Sequence, residues 1–430
     1  MLRISIVVLF ATLLSTSALG QEVPGEAYYQ PRLKDPVLEK IDKRNKTFIE
    51  ERDAQTARIR KAQKEEKKKK KEERKVLRTD LPEEMRPASP EQFKSVFHFA
   101  PQAQYYTGTC WAYAGTSFLE SEVHRITGSK VKLSEMHTVY YEYLEKARRF
   151  VSQRGDSSFS EGSQMNAVNR MWKLYGAVPL TAYDGVVAKD GLHDHIRMSK
   201  EMSAFLDFVK ANDLWDEQFV LDSIATILNK YMGEPPQSFQ YNRRTYTPTQ
   251  FVRKVLKVDP DSYVQFMSTM SLPFYQAGLF DVPDNWWQDA TYLNLPVEQF
   301  LKAALEPVKR GFSIAIGGDV SEPGKNFRQD VAFVPEFDIP QQNIDQSARE
   351  YRIVNGATGD DHGIHAVGWA QAGGNQWLLI KDSGRSARHG KHDGYYFFRE
   401  DFIKLKMLTI MVHKDGVPDL LKRFNEAKGR

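Results

Sequence analysis

Cysteine is the scarcest functional residue in this sequence. Cys110 is the only cysteine among 430 residues, so no disulfide can form within the chain. No stretch reaches the roughly 18 consecutive apolar residues that a membrane-spanning helix needs. The net charge is only +4, which argues against a general affinity for nucleic acid. We therefore expect a folded protein with no stable membrane insertion, no nucleic-acid partner, no metal and no cofactor.

The first twenty residues have the pattern of a secretory signal peptide. Arg3 precedes an apolar run over residues 4–14, and Ala18-Leu19-Gly20 supplies small residues at a cleavage site before Gln21. We expect residues 1–20 to be removed and the mature protein to be secreted or periplasmic. Exported proteins usually carry their cysteines as disulfide pairs, so an unpaired cysteine is a candidate reactive thiol.

A charged extension, residues 21–94, follows the signal peptide. Residues 51–80 contain 13 Lys or Arg and 7 Asp or Glu. Glu66 stands four residues before Lys70, a spacing and order that stabilise a solvated helix. The extension is predicted to be a bare charged helix or a disordered stalk, with a basic arm that touches anionic surfaces as the alternative. Pro82 and Pro87 end this segment.

The surroundings of Cys110 predict a helix that begins at the thiol. Trp111 and Phe118 recur at helical spacing and Gly128 offers a stop, so the helix should run from Cys110 to about Thr127. The positive end of a helix dipole favours a thiolate over a thiol. The dipole alone is insufficient, so a cationic partner such as histidine is expected nearby.

His362 is the histidine with the most informative context. A strand-like run begins there and is separated by Gly373-Gly374 from a second run, which predicts a β-hairpin. Asp382 ends the second run, where it could return to contact the imidazole. A cysteine, a histidine and a carboxylate would supply a nucleophile, its base and the group that orients the base.

Three ordered motifs now resemble a known family, the papain-like cysteine peptidases (family C1). They are a glutamine six residues before Cys-Trp-Ala-Tyr, then His-Gly-Ile-x-Ala-Val-Gly-Trp, then Trp-Leu-Leu-Ile-Lys-Asp-Ser-Gly. The long insertion and the Leu-Ser-Glu after the cysteine helix look most like the bleomycin hydrolase, or aminopeptidase C, branch. Proteins of that branch are aminopeptidases whose own C-terminus blocks the cleft, often within a hexamer.

The resemblance implies a role for individual residues. Cys110 would be the nucleophile, and His362 the general acid and base that forms a thiolate–imidazolium pair with it. Gln104 would donate its side-chain amide to the oxyanion. Gly162 and Ser163 match the family's Gly-Gly segment, which pairs with an extended substrate; the serine replaces the second glycine there.

The chain departs from the family at the third catalytic position. The family has asparagine followed by Ser-Trp-Gly, whereas this chain reads Asp382-Ser383-Gly384. The aspartate can accept the imidazole N–H, and its charge should favour the imidazolium. The missing tryptophan should admit water to this contact and weaken its electrostatics.

His365 is a competing base three residues beyond His362. Positions three apart on an extended strand face opposite sides, so both cannot enter the cleft, and the motif selects His362. A metal site formed by Asp361, His362 and His365 is an alternative, but it lacks a complete ligand set.

The motifs predict an α+β, papain-like fold of two lobes with the active site in the cleft between them. A helical lobe, residues 95–190, would carry the nucleophile, and a β-rich lobe, residues 308–415, the histidine and aspartate. Residues 191–307 would form a large, mostly helical insertion that packs on the helical lobe. Residues 416–430 would form an amphipathic C-terminal tail. Trp286-Trp287, near Asp284, could line a substrate groove, although packing is the commoner role.

The leading hypothesis is an exported cysteine peptidase that cleaves peptide bonds through a thioester, leaning towards an aminopeptidase. Its partners would be peptide or protein substrates, and a homo-oligomer is left open. The first alternative is a catalytically weak or inactive papain-like protein that binds peptides. The second is acyl transfer by the same Cys, His and Asp, as in transglutaminase-like enzymes, against which Gln104 argues.

Overall fold

The structure is a computed structural model that describes residues 25–428. It divides into two compact units, one up to Lys75 and one from Val76 onward. The predicted signal peptide, residues 1–20, and the last two residues of the predicted tail lie outside the described part.

The first unit contains one long charged helix, α1 (Pro36–Glu72). Asp35 caps its start by accepting hydrogen bonds from the backbone N–H groups of Val37 and Leu38. None of its residues is buried, and Glu66 forms a 2.6 Å ion pair with Lys70. This helix is therefore stabilised by its cap and by charge pairs along its surface rather than by a core.

The second unit contains ten helices and twelve strands within the described residues. The helices are α2 (Cys110–Thr127), α3 (Glu135–Ser152), α4 (Asn166–Tyr175), α5 (Ile196–Ala211), α6 (Glu217–Met232), α7 (Pro248–Phe251), α8 (Val297–Lys309), α9 (Gln346–Val354), α10 (Glu400–Lys406) and α11 (Pro418–Lys428). The strands are β1 (Lys94–Ser95), β2 (Phe239–Tyr241), β3 (Arg244–Tyr246), β4 (Tyr263–Met267), β5 (Ala277–Gly278), β6 (Tyr292–Asn294), β7 (Ile314–Gly318), β8 (Val331–Ala332), β9 (His362–Ala372), β10 (Asn375–Lys381), β11 (Tyr395–Arg399) and β12 (Met407–His413).

Helix α2 has the predicted bounds and is the centre of the helical layer. Phe118, Leu119 and Val123 are fully buried along it. Gly128 ends it with φ +72°, a left-handed conformation that glycine adopts without steric cost. The apolar side chains of α3 and α4 pack around it in one continuous cluster.

Ten strands form one mixed sheet, and the predicted hairpin lies at its centre. Its order is β5-β6-β4-β12-β7-β9-β10-β11-β8, with β1 paired to the outer part of β9. Strands β9 and β10 are antiparallel, and Asn375 pairs with Ala372 across the turn at Gly373-Gly374. The hairpin prediction is confirmed, and Asp382 follows directly after β10.

The predicted insertion, residues 191–307, divides between the two layers instead of packing on the helical lobe alone. Helices α5 and α6 join the helical cluster through buried residues such as Met198 and Ile224. From Tyr263 onward the chain adds β4, β5 and β6 to the sheet, because β4 pairs with β12 and buries Phe266 beneath α8. The insertion therefore extends both layers and brings its loop at residues 281–289 towards the cleft.

The charged extension also ends earlier along the chain than predicted, because the second compact unit begins at Val76. Leu81 and Phe93, within the predicted 21–94 segment, are buried in a cluster with Phe397. Strand β1 pairs with β9. These contacts make residues from about 76 part of the second unit. Across residues 25–428, none of the helices combines the length and apolarity needed to cross a membrane.

Candidate active site

The nucleophile candidate lies where α2 meets the sheet. Cys110 is the first residue of α2, so its backbone N–H has no acceptor within the helix. A side chain at Gly363 would lie 3.3 Å from the Cα atom of Trp111. The glycine therefore permits α2 to approach β9 closely, which places Cys110 beside His362. Both residues line one cavity, which encloses about 260 Å³ of partly open space.

His362 begins β9 and contacts the carboxylate candidate directly. Its Nε2 atom lies 2.7 Å from Oδ1 of Asp382, which leaves Nδ1 for Cys110. Burial alone would lower the pKa of His362, but the charges and hydrogen bonds of Asp382 and Cys110 raise it to about 10. The imidazole is therefore a cation at neutral pH, as an ion pair with a thiolate requires.

Asp382 is buried completely, with a side-chain exposure of 0%. Its Oδ1 atom accepts hydrogen bonds from His362 and from the backbone N–H of Gly384, at 2.7 Å each. Burial would raise the pKa of Asp382, but the His362 cation, with further help from Lys325, holds it below its usual value. Asp382 is thus an ionised partner of the imidazole.

Gly384 covers the contact that the missing tryptophan was expected to leave open. A side chain at this position would lie 3.0 Å from Oδ1 of Asp382 and 3.1 Å from Nε2 of His362. The backbone itself therefore lies against the imidazole–carboxylate pair. The expectation that water reaches the Asp382 carboxylate is wrong for this reason.

Gln104 is fixed beside the loop that carries Asp382. Its backbone N–H donates to the carbonyl of Ser383 at 3.1 Å, and its side-chain oxygen accepts from the Ser383 hydroxyl at 2.8 Å. Its amide nitrogen donates to the carbonyl of Thr107 at 2.7 Å. An amide NH₂ carries two hydrogens, so one donor remains after this bond is made.

The Gly162-Ser163 segment forms the opposite wall, and a carboxylate covers part of it. Ser163 lines the cavity with Cys110, but its hydroxyl donates to Glu142. A side chain at Gly162 would lie only 2.2 Å from a carboxylate oxygen of Asp284. The carbonyl of Gly162 accepts a hydrogen bond from buried Lys146. The backbone predicted to pair with an extended substrate is therefore partly covered.

Three carboxylates, those of Asp284, Asp360 and Asp361, line the cavity that contains the thiol. Burial and the charge of Asp284 raise the pKa of Asp360 to about 7, although Gln164 donates a hydrogen bond to it. Burial also raises the pKa of Asp284, against the charge of Lys146. The wall of the cleft is thus suited to a cationic group.

Glu161 links the cysteine loop to the helical layer. Its carboxylate accepts hydrogen bonds from the backbone N–H of Gly108 at 2.6 Å and from the Ser199 hydroxyl at 2.7 Å. Its carbonyl accepts from the indole N–H of Trp111 at 3.1 Å. No sequence pattern indicated this structural role of Glu161, apart from its position next to the predicted Gly162-Ser163 segment.

His365 lies on the other side of β9 from the cleft. It is fully buried, and its Nδ1 atom lies 2.9 Å from the hydroxyl of Ser117. The expected alternation along the strand is confirmed. Within residues 25–428, no group of three or more His, Cys, Asp or Glu is arranged to hold a metal ion, so the metal alternative built on Asp361, His362 and His365 has no geometric support.

Known proteins resemble the chain over most of the second unit. The sequence profile of the Peptidase C1-like family matches residues 156–429, more than half of the chain. This match includes His362 and Asp382 and begins after Cys110.

Two curated relatives extend the comparison. Aminopeptidase C of Listeria monocytogenes is 24% identical over 259 residues, which cover 51% of this chain and 58% of that protein. The chain thus spans little more than half of this relative's length. Aminopeptidase C of Lactococcus lactis subsp. cremoris is 21% identical over 373 residues, which cover 76% of this chain and 83% of that protein.

A solved structure has the same fold. PepW of Lactobacillus rhamnosis superposes with a TM-score of 0.62 and 17% sequence identity, and the superposition covers 79% of this chain and 86% of that chain. The α+β architecture is therefore papain-like, as predicted. Because the profile of the Peptidase C1-like family matches more than half of the chain, the chain belongs to this family.

Proposed function

We propose that the protein is an exported cysteine peptidase that removes residues from the free amino end of peptides. The observation that carries this proposal is the imidazole of His362, held between Cys110 and the buried carboxylate of Asp382. This arrangement supplies a nucleophile, an acid–base group and an orienting group in the order that acyl transfer needs.

The reaction would proceed in two steps through a thioester. The Cys110 thiolate attacks the peptide carbonyl carbon, and the carbon–nitrogen bond breaks as His362 gives its proton to the leaving amine. Water then attacks the thioester while His362 takes its proton, and the carbon–sulfur bond breaks to restore the thiolate. The backbone N–H of Cys110 and the free amide hydrogen of Gln104 would stabilise the oxyanion of both steps.

The acidic wall of the cleft supports an aminopeptidase over an endopeptidase. Asp284 covers Gly162, so the segment that would pair with several residues of an extended peptide is obstructed. A carboxylate beside the nucleophile instead offers a charge partner for a free α-ammonium group. Both curated relatives named above are aminopeptidases C.

Helix α11 supports this assignment of the charge partner. Its apolar side packs on the sheet, where the Phe424 ring lies 6.2 Å from Phe266 and 5.8 Å from Tyr275. Asp284 and Asp360, by contrast, line the cavity of Cys110 itself. We therefore assign amine recognition to the loop that carries Asp284 rather than to α11.

Matched peptide substrates test the proposal. We expect a fluorogenic substrate with a free α-amine to be cleaved at least about tenfold faster than its N-acetyl form, because a charge-assisted hydrogen bond contributes about 1.5–3 kcal/mol. Asp284→Asn should remove most of this preference. Asp281→Asn, an exposed aspartate of the same loop, is the control and should keep it.

Two other outcomes would point elsewhere. Equal cleavage of the blocked and free peptides would make the protein an endopeptidase. No cleavage, together with a Cys110 that reacts no faster than free cysteine, would favour the non-catalytic peptide-binding alternative.

Export is supported by the first twenty residues. The charged start, apolar core and small residues before Gln21 match a cleavable signal. Mass spectrometry of the protein recovered outside the cytoplasm should find Gln21 at its N-terminus. Recovery of the uncleaved chain inside the cytoplasm would contradict export.

A further inference from the structure

The Asp382 carboxylate has one oxygen that the catalytic contacts do not use. Oδ1 receives the hydrogen bonds from His362 and Gly384. Oδ2 is buried and has no hydrogen-bond partner among the described residues. A buried charged oxygen without compensation is costly, so its surroundings should contain a positive charge.

Lys325 supplies that charge from behind Asp382. Its Nζ atom lies 4.0 Å from Oδ2, and its side chain is only 8% exposed. The ammonium donates a hydrogen bond to the Ser386 hydroxyl at 3.2 Å and lies 4.8 Å from the centre of the Tyr396 ring. A lysine this deeply buried is rare unless it is paired, and Asp382 is its carboxylate partner.

The backbone holds this lysine in place. Lys325 lies in the loop between β7 and β8, and its N–H donates to the carbonyl of Glu322 at 3.0 Å. A side chain at Gly324 would lie 2.0 Å from the carbonyl oxygen of Phe333. The close approach that this glycine permits places the loop against the core, so the backbone of Lys325 is anchored there.

We propose that Lys325 is a positioning residue that forms with Asp382 a neutral ion pair behind His362, where the family otherwise has a neutral asparagine. The inference deepens the proposed function and rests on it for the reaction that the pair serves. Lys325 does not touch the reacting atoms; it acts through Asp382.

The charge balance explains why the pair would suit catalysis. An uncompensated aspartate raises the pKa of the imidazolium. His362 then gives its proton to the leaving amine less readily, and it stays protonated when it should accept a proton from water. Lys325 offsets part of that charge. Burial lowers the pKa of Lys325, and the charge of Asp382 opposes this more than the charges of Asp361 and Asp319 do, while Arg78 adds to the lowering. The Asp382 contact is the one that joins the ammonium to the imidazole.

Opposite shifts in two single variants test this inference. Lys325→Met leaves the carboxylate uncompensated and should raise the pKa of His362, whereas Asp382→Asn leaves the ammonium uncompensated and should lower it. We expect each change to be about one pH unit. The double variant removes both charges, so its His362 pKa should lie between the values of the two single variants.

Two readouts follow the imidazole, and the first is independent of peptide turnover. NMR titration of histidine-labelled protein, with the His362 signal assigned through His362→Ala, measures the imidazole directly. The basic limb of the pH profile of kcat/KM should move to higher pH in Lys325→Met and to lower pH in Asp382→Asn. Lys325→Arg keeps the positive charge and should keep the parent profile. Lys132→Met is the matched control, because it also removes a partly buried lysine from buried carboxylates, those of Glu120 and Glu135, and should leave the His362 pKa unchanged.

The proposal is overturned if Lys325→Met leaves the His362 pKa unchanged or lowers it, or if Asp382→Asn does not lower it. If Lys325→Met fails to fold, two other variants replace it: Lys325→Gln, and the double variant, which buries no charge at this place. Their His362 pKa values are then compared with that of Asp382→Asn. An enzyme without peptidase activity but with the opposite shifts would refute the proposed function and keep the Lys325 inference. Normal peptidase activity without these pKa shifts would support the proposed function and refute the Lys325 inference.

Discussion

Removing the Glu161 carboxylate should disturb both the stability of the protein and the position of its nucleophile. Glu161→Ala takes the acceptor away from the Gly108 N–H and the Ser199 hydroxyl. Hydrogen bonds to a charged group contribute about 1.5–3 kcal/mol each. Water can reach this partly exposed side chain, so we take the lower value for each and expect a loss of about 3 kcal/mol in the free energy of unfolding.

The same change should lower kcat because Gly108 lies two residues before Cys110. Loss of its anchor allows the loop and the start of α2 to shift, and displacements near 1 Å can reduce a rate by about a hundredfold. Glu161→Gln keeps one acceptor oxygen and should lose about half as much stability.

Urea unfolding and steady-state kinetics on the same preparations measure the two effects of the Glu161 changes. Glu306→Ala is the control, because Glu306 forms an exposed ion pair with Lys309, and such pairs contribute about 0–1 kcal/mol. A Glu161→Ala protein that loses under about 1 kcal/mol of unfolding free energy and keeps kcat within twofold would show that Glu161 neither stabilises this loop nor positions Cys110.

Two further predictions concern Gly384 and His137. Gly384 has φ −70°, so Gly384→Ala introduces no backbone strain, but its methyl group would lie 3.0 Å from Asp382 and 3.1 Å from His362. We expect kcat to fall by roughly tenfold while the urea midpoint changes little. An unchanged kcat would contradict this close packing. Burial lowers the pKa of His137 to about 3 in the folded protein. Below pH 6.5, the ordinary pKa of the imidazole, unfolding therefore lets His137 bind a proton. Its contribution to stability is therefore full above pH 6.5 and is lost as the pH falls towards 3, with a slope of about 1.4 kcal/mol per pH unit. Urea titrations between pH 7 and pH 4 should show a smaller pH dependence in His137→Phe than in the parent, and equal slopes would refute this.

The sequence predicted the parts of the molecule that local pattern determines. The bounds of α2 follow from its apolar spacing and from Gly128, and the β9–β10 hairpin follows from two apolar runs around Gly373-Gly374. Because those elements carry Cys110, His362 and Asp382 at their ends, ordered motifs were enough to bring the three residues together.

The strands of the insertion were missed for a physical reason. Strand β6 has three residues and β5 has two, too few for an alternating pattern to be recognised. Strand β6 joins the sheet by pairing with β4, and β5 by pairing with β6. No local signal records these contacts. The prediction of a mostly helical insertion therefore describes α5 and α6 but not the segment from Tyr263 onward.

Asp284 and Lys325 could not be identified from the sequence either. Each reaches the site through a loop whose path depends on packing: Asp284 lies over Gly162, and Lys325 lies behind Asp382. The replacement of asparagine by Asp382 was visible as a departure, but its compensating cation became apparent only when the buried oxygen and the ammonium were seen together.

The rate at which an epoxide thiol inhibitor modifies Cys110 at pH 6 shows whether the His362 imidazolium keeps this thiol ionised. A thiol with the ordinary pKa of about 8.5 is ionised to only roughly 0.3% at this pH, whereas a thiolate paired with the His362 imidazolium is ionised already. We expect Cys110 to be labelled about a hundredfold faster than free cysteine, and the rate to fall to that of free cysteine in His362→Ala. Labelling no faster than free cysteine, or labelling unaffected by His362→Ala, would contradict a thiolate–imidazolium pair.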